Sequence, residues 1–344
     1  MSDFQQVSPV SAFGSDSGDV SRTTTLLVRA FGWGVLAALA VFVVSNYFTH
    51  WQGWPGAAAA FSGATGETST MLAWAQAAAY PVVIAVAIIA VLRSSYRTLR
   101  QDSERISGIS AYVVRAAFFA VLYVGLVDAA ISFLRVEGLL PGLIGEPLTI
   151  DLGRSTFRGV YVHIPLILAG IVTAAFSRSL GFTWLALLVV VAELLIVVTR
   201  FIFSYEQAFM ADLVRFWYAA LFLFASAYTL LHEGHVRVDV LYTGMSPRTK
   251  GWVNAMGSLL LGISLCWVVL AIGLGDKTAI INSPILAFET TQTGFGMYVK
   301  YIMAGYLAIF AITMMIQFVS YFMESVADLR GEPGGRDHES HGIS

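Results

Sequence analysis

The chain has 344 residues, of which 57% are hydrophobic and 12% charged, with a formal net charge of -2. This composition excludes a water-soluble globular fold and implies a polytopic membrane protein. With 20 Lys+Arg against 22 Asp+Glu there is no basic surplus for nucleic acid, and a single cysteine, Cys266 in an apolar run, excludes both a disulfide framework and a thiolate metal site.

Residues 1–24 are rich in Ser, Gly and Asp and lack the basic start and short apolar core of a cleavable signal. They read as a disordered cytoplasmic tail. Crossing a bilayer as a helix takes roughly 20 apolar residues. Such stretches follow at Ala30–Phe48, Met71–Leu92, Ala116–Leu134, Val160–Phe176, Phe182–Thr199, Leu213–Leu231, Trp252–Leu274 and Tyr301–Phe322. The expected fold is therefore all-α, with eight transmembrane helices. The tight turn Ser177-Arg178-Ser179 predicts a helical hairpin of the fourth and fifth spans. Residues 325–344 return to a polar, Gly/Pro-rich tail, whose His338 and His341 read as solvated rather than as metal ligands.

Orientation follows from the Lys and Arg census. The loop from Arg93 to Arg115 is strongly basic, whereas His50 to Thr70 contains neither Lys nor Arg. An N-in, C-in topology is expected, as an even number of spans requires.

The densest polar segment between two apolar runs is Leu231 to Lys250. His235-Val236-Arg237-Val238-Asp239 alternates with a period of two, which suits an extended segment in the membrane interface with its valines toward the acyl chains. Tyr242 follows, and Ser246-Pro247-Arg248 has the pattern of a helix start, with Ser as cap and Pro in the first turn.

From about Thr199 to Asp328 the chain resembles the small permease (Q) subunit of TRAP transporters, the tripartite ATP-independent periplasmic secondary transporters. The resemblance is carried by Arg200-Phe201-Ile202-Phe203, Asp212-Leu213, Ala227-Tyr228-Thr229-Leu230, the HVRVD loop, Ser246-Pro247-Arg248, Trp252 and Gly257. Lys300 before the last helix and Gln317 within it also fit. This chain departs from many members by Asp212 where they have Glu, and by the absence of an Asn before Arg200. The resemblance implies residues 179–324 as a four-helix small-permease unit, preceded by an extra four-helix region at 25–178. It implies a non-catalytic subunit without a cofactor, in a bacterial inner membrane. Its partners would be a large (M) permease subunit and a periplasmic substrate-binding protein, and the cargo a cation-coupled organic anion such as a carboxylate.

Ionisable residues inside spans cost at least ~2.5 kcal/mol near a helix centre, so each needs a partner or an aqueous surface. Asp128 and Glu193 lie near span centres, and each has an Arg seven residues later, Arg135 and Arg200. Seven residues return to nearly the same helix face, about 10.5 Å along the axis, so pairing within each helix is expected. Such carboxylates serve either as a cation site or as packing contacts between helices. Asp212 and Arg215 share a face where the sixth span begins, and Lys300 opens the eighth on the same side. An interfacial salt-bridge cluster and a contact with a partner subunit are both open readings. His163 and Pro165 suggest a kinked, hydrogen-bonded turn. The pairs Trp51 and Trp54, Trp217 and Tyr218, and Tyr298 and Tyr301 stand at span ends, as interfacial aromatics do.

The alternative to a transporter subunit is a self-sufficient carrier or channel. Tyr161-Val162-His163 with Ala169-Gly170 echoes Tyr298-Val299-Lys300 with Ala304-Gly305, which raises the expectation that the two halves are a duplication.

Overall fold

The computed structural model describes residues 22–62, 66–178, 182–205, 208–231, 242, 244–290 and 296–334. Eight helices among them are long and apolar enough to cross a membrane. They are α1 (Arg22–Trp51), α2 (Glu67–Arg93), α3 (Leu99–Val136), α4 (Ser155–Phe176), α5 (Phe182–Phe203), α6 (Ala208–Leu231), α7 (Pro247–Leu274) and α8 (Lys300–Leu329). Every regular element among the described residues is helical, so the expected all-α membrane fold is found.

The largest difference from expectation is α3, which has 38 residues and is about 57 Å long at 1.5 Å per residue. Much of the basic segment read as a loop before Arg115 is its first half. The physical reason is local. Thr98 and Gln101 form a reciprocal capping box, each side chain accepting from the other's backbone N–H at 3.3 Å. From there Ser103, Ser107, Ser110, Val114, Phe118, Val121, Gly125, Asp128 and Ser132 recur every three or four residues and are all buried. They form one continuous stripe facing the bundle interior. Because its polar members lie toward the ends, an apolar-run criterion finds only the middle.

Helices α3 and α8 run antiparallel through the centre. The first packs against α4, α6 and α8, and the second against α1, α6 and α7 as well. Near one end a hydroxyl ladder joins them: Ser320 lies 2.8 Å from Ser103 Oγ and 2.7 Å from Ser107 Oγ, and it donates to the Ser103 carbonyl at 2.8 Å. Gln317 donates to Ser107 at 3.3 Å, and Ser110 donates to the Thr313 carbonyl at 3.3 Å. These bonds satisfy hydroxyls that an apolar interior would otherwise leave unpaired.

Helix ends sort cleanly into two sets. At the basal end Arg22 donates to Ser95, Arg330 to Thr25, and Arg100 pairs with Asp328 at 2.8 Å. At the distal end stand the starts of α4 and α8 and the end of α3, together with short helices at Leu140–Ile144, Glu146–Leu152 and Asn282–Leu286.

Three expectations are corrected. Helices α4 and α5 are not packed as a hairpin, because α4 lies against α3 while α5 lies against α6. The helix contacts do not repeat between the halves as a duplication predicts: beyond helices adjacent in sequence, the first half is joined through α1 and α3, its first and third helices, and the second through α6 and α8, its second and fourth. Finally, Trp217 and Tyr301 are buried rather than interfacial. Trp217 packs over Gly125, where any Cβ would collide with the indole ring.

Gly170 lets α4 pack closely on α3, since a Cβ there would stand 2.5 Å from the Ala120 backbone nitrogen. Gly108, exposed on α3, has nothing within 4 Å. We expect Gly170→Ala to destabilise the protein by about 1–3 kcal/mol through overpacking. Gly108→Ala should stabilise it by roughly 0.5–1 kcal/mol through helix propensity. Thermal unfolding in detergent distinguishes the two, and equal shifts would contradict the close α3–α4 contact.

Candidate functional site

Two buried ion pairs bracket α3. Near its basal end Arg29 of α1 donates Nε–H to Asp102 Oδ2 at 2.8 Å, and Trp33 donates to the same oxygen at 2.8 Å. The rest of the guanidinium bonds the Ser94 carbonyl at 2.9 Å and its hydroxyl at 3.0 Å, tying the end of α2 to the same point. Neither charge reaches solvent, as each side chain is 1% exposed.

The distal cluster is larger. Asp128 Oδ1 accepts from Arg158 Nη1 at 2.8 Å and pairs with His163 Nε2 at 3.0 Å, and all three side chains are fully buried. Its other oxygen accepts the backbone N–H of Tyr298 at 2.9 Å. The opposite His163 nitrogen, Nδ1, lies 2.7 Å from the Tyr301 hydroxyl. Neutral His163 satisfies every partner when Nε2–H donates to the carboxylate and Nδ1 accepts from Tyr301. The charges then balance as one Asp and one Arg.

All three Arg158 nitrogens are hydrogen-bonded. Nε and Nη2 donate to the Leu152 carbonyl at 3.0 and 2.8 Å, capping the short helix Glu146–Leu152, while Nη1 also reaches Ser132 at 3.4 Å. Its guanidinium lies 4.2 Å from the Tyr298 ring centroid, and that of Arg135 lies 4.8 Å from it. The Tyr298 hydroxyl accepts from Arg135 and donates to the Gly153 carbonyl at 3.0 Å. Immediately upstream, the N–H of Met297 donates to Asp212 of α6 at 3.2 Å. The chain entering α8 is thus tied to α3 and α6, and through His163 to α4.

A π-helical turn at Gly159–His163, followed by Pro165 at the start of regular helix, sets this geometry. Where a kinked, hydrogen-bonded turn is expected, the structure has this π-helical turn with a hydrogen-bonded histidine. Its histidine is also a member of the cluster, which the sequence reading did not anticipate.

The other candidate residues are distributed as follows. Asp128 pairs with Arg158 and His163, not with Arg135, because inter-helix contacts offer shorter reach than a seven-residue step along one helix. It also stands level with the start of α8, toward the distal end of α3 and away from its middle. Glu193 is exposed near the middle of α5, and among the described residues it is not paired with Arg200. Arg200 is exposed too. Asp212 and Arg215 approach to 3.8 Å as expected, whereas Lys300 pairs with Glu289 at 2.5 Å. Gln317 belongs to the α3–α8 ladder. His235, Arg237 and Asp239 lie outside the described residues. Beyond them, Tyr242 accepts a hydrogen bond from Asn254 at 2.7 Å and carries Lys250 5.1 Å from its ring centroid. Ser246 caps α7 by accepting from Thr249 N–H at 3.2 Å, with Pro247 in the first turn and Arg248 exposed.

Sequence reasoning missed Arg29, Asp102 and Arg158 as buried partners. The available signal was the cost of an intramembrane Asp128, which demands a cation on a neighbouring helix.

Residues 186–327 match the family model described as tripartite ATP-independent periplasmic transporters, DctQ component. The match runs from the first turns of α5 to the last turn of α8 and leaves α1 to α4 outside. No curated protein and no solved structure matches the chain.

Removing Asp128 leaves the buried Arg158 uncompensated, so Asp128→Leu should cost about 3–5 kcal/mol. Adding Arg158→Leu should recover a large part of that loss, since no isolated charge remains. The check is a double-mutant cycle on thermal unfolding in detergent. Simple addition of the two single losses would show that the pair is not coupled.

Proposed function

We propose that this chain, whose α5–α8 half is the small permease component of a TRAP transporter, acts as a membrane scaffold for the large permease subunit and carries neither the ion nor the substrate site itself. The basal end, with Arg22, Arg93, Arg97, Arg100 and Arg105, is assigned to the cytoplasm of a bacterial inner membrane. The distal end then faces the periplasmic binding protein. The transport proposed is uptake of an organic anion, such as a carboxylate, coupled to a cation such as Na⁺.

The observation that carries this reading is the contrast between the two intramembrane carboxylates. Asp128 has both oxygens engaged by Arg158, His163 and a backbone N–H, and the guanidinium already paired with it repels a second cation. Glu193 instead lies open on α5, a helix with little of its own surface covered. Val190, Glu193, Val197 and Arg200 recur at three- and four-residue spacing, so they share one face. A charge facing lipid near mid-span costs about 2.5–3.5 kcal/mol on insertion scales, and a partner helix with a donor at that depth removes the cost. This face is the proposed contact with the large subunit. The expected interfacial role of Arg237 and Asp239 is retained as a cytoplasmic anchor of the same assembly.

The test is a photo-crosslinking amino acid at Val190 or Val197 in chain co-expressed with its large permease. Crosslinks should form from these positions and not from Val86 or Ile89 on exposed α2. Glu193→Gln should leave the cation dependence of uptake intact. Crosslinks from α2 alone would contradict the proposed interface, and lost cation dependence in an assembled Glu193→Gln complex would favour an ion site.

A further inference from the structure

A cleft of about 590 Å³ opens in the side of the bundle. Its floor is α3 and α8, and its lips are α1 and α4, which are not packed against each other. It therefore exists only because the extra helices and the α5–α8 half are assembled around α3.

Position and length define what fits. Along α8 the lining runs from Tyr301 to Ile312, about 16 Å of helix, and along α1 from Val43 to Trp51, about 12 Å. The hydrocarbon core of a bilayer is about 30 Å thick, so the cleft spans one leaflet. That leaflet is the distal one: on α3 the lining ends at Val124, one turn short of Asp128, and begins near the midpoint between Asp102 and Asp128.

The chemistry of the lining is equally restrictive. It is almost wholly aliphatic and aromatic, and its two amides, Asn46 and Asn282, both donate to the Leu274 carbonyl at the distal rim. One polar group is left over. The Tyr306 hydroxyl is buried and has no hydrogen-bond partner among the described residues. Three residues beyond Leu274, Lys277 is exposed, with its ammonium in no ion pair among the described residues; the carboxylate of neighbouring Asp276 accepts instead from the Lys277 backbone N–H and the Thr278 hydroxyl. An apolar slot one leaflet long, open sideways to the bilayer and with an exposed lysine three residues past its distal rim, matches an amphiphile with a long tail and an anionic head.

We propose that this cleft holds one acyl tail of a phospholipid from the distal leaflet, with the lipid phosphate at Lys277. The tail supplies the contacts that α1 and α4 do not make with each other, so the lipid completes the bundle between them. The reading rests on the membrane-spanning fold and does not depend on the identity of the large subunit.

The experiment uses the full chain in phospholipid nanodiscs containing a trace of phosphatidylethanolamine with a diazirine on its acyl tail. After irradiation, labelled residues are mapped by peptide mass spectrometry. Labels should concentrate on the cleft floor, at Ala117 and Ile309, at least fivefold above other positions equally shielded from the bilayer. Ala117→Phe with Ala308→Phe, which fills the slot, should reduce that labelling more than fivefold, whereas Val86→Phe on the exposed surface of α2 should not. Lys277→Gln should lower the amount of co-purifying phospholipid in native mass spectra severalfold. Should the filled variant fail to fold, the wild-type map and Lys277→Gln decide the question. Labels confined to exposed positions would overturn the proposal. So would a diazirine fatty acid that labels the floor equally well while Lys277→Gln retains its phospholipid.

Discussion

The structure depends on two aspartates of one helix, Asp102 and Asp128, about 39 Å apart along α3. Each is buried, and each is neutralised by an arginine from another helix, Arg29 of α1 and Arg158 of α4. The separation slightly exceeds the thickness of the hydrocarbon core, so the two pairs sit at its edges, where desolvation is less severe than at the midplane. Between them α3 presents mainly apolar side chains. A buried ion pair contributes little net stability against a well-packed apolar alternative, but breaking one is costly. The pairs therefore fix register: α3 cannot slide along α1 or α4 without exposing a charge to lipid.

That register is transmitted to the α5–α8 half. The Tyr298 amide binds Asp128, the Met297 amide binds Asp212, and Tyr301 reaches His163, so the first turn of α8 is held by three other helices. Toward the basal end the Ser103, Ser107 and Ser320 hydroxyls continue the contact. The extra four helices are thus not an appended domain. Helix α3 supplies a wall against which α6 and α8 pack, and the α5–α8 half is built around it.

The eight helices were legible in the sequence because each contains an apolar run of membrane length. Helix α7 was legible at its very start, since Ser246 and Pro247 are local signals. The length of α3 was not, because its basal third turns serines and Asp102 inward, and inward polarity reads as loop when the facing helix is unknown. Asp128 was correctly singled out as a charge in need of a partner. The partner assigned to it was wrong, since spacing along one helix says nothing about the register between helices. Arg158 lay hidden in a segment of short helices and a π-helical turn, for which the sequence offers no periodic signal. Trp217 and Tyr301 occupy span ends as interfacial aromatics do, and only the packing of α3 against α6 and the hydrogen bond to His163 reveal them as interior.

If α3 is the wall on which the α5–α8 half folds, residues 182–344 expressed without the first four helices should expose the α3-facing sides of α6 and α8. The most direct measurement is membrane accumulation of that truncated chain, with and without residues 1–181 supplied as a separate polypeptide. The account predicts degradation of the truncated chain alone and recovery when the first half is co-expressed. A truncated chain that accumulates at full yield and unfolds at the same temperature as the whole protein would contradict it.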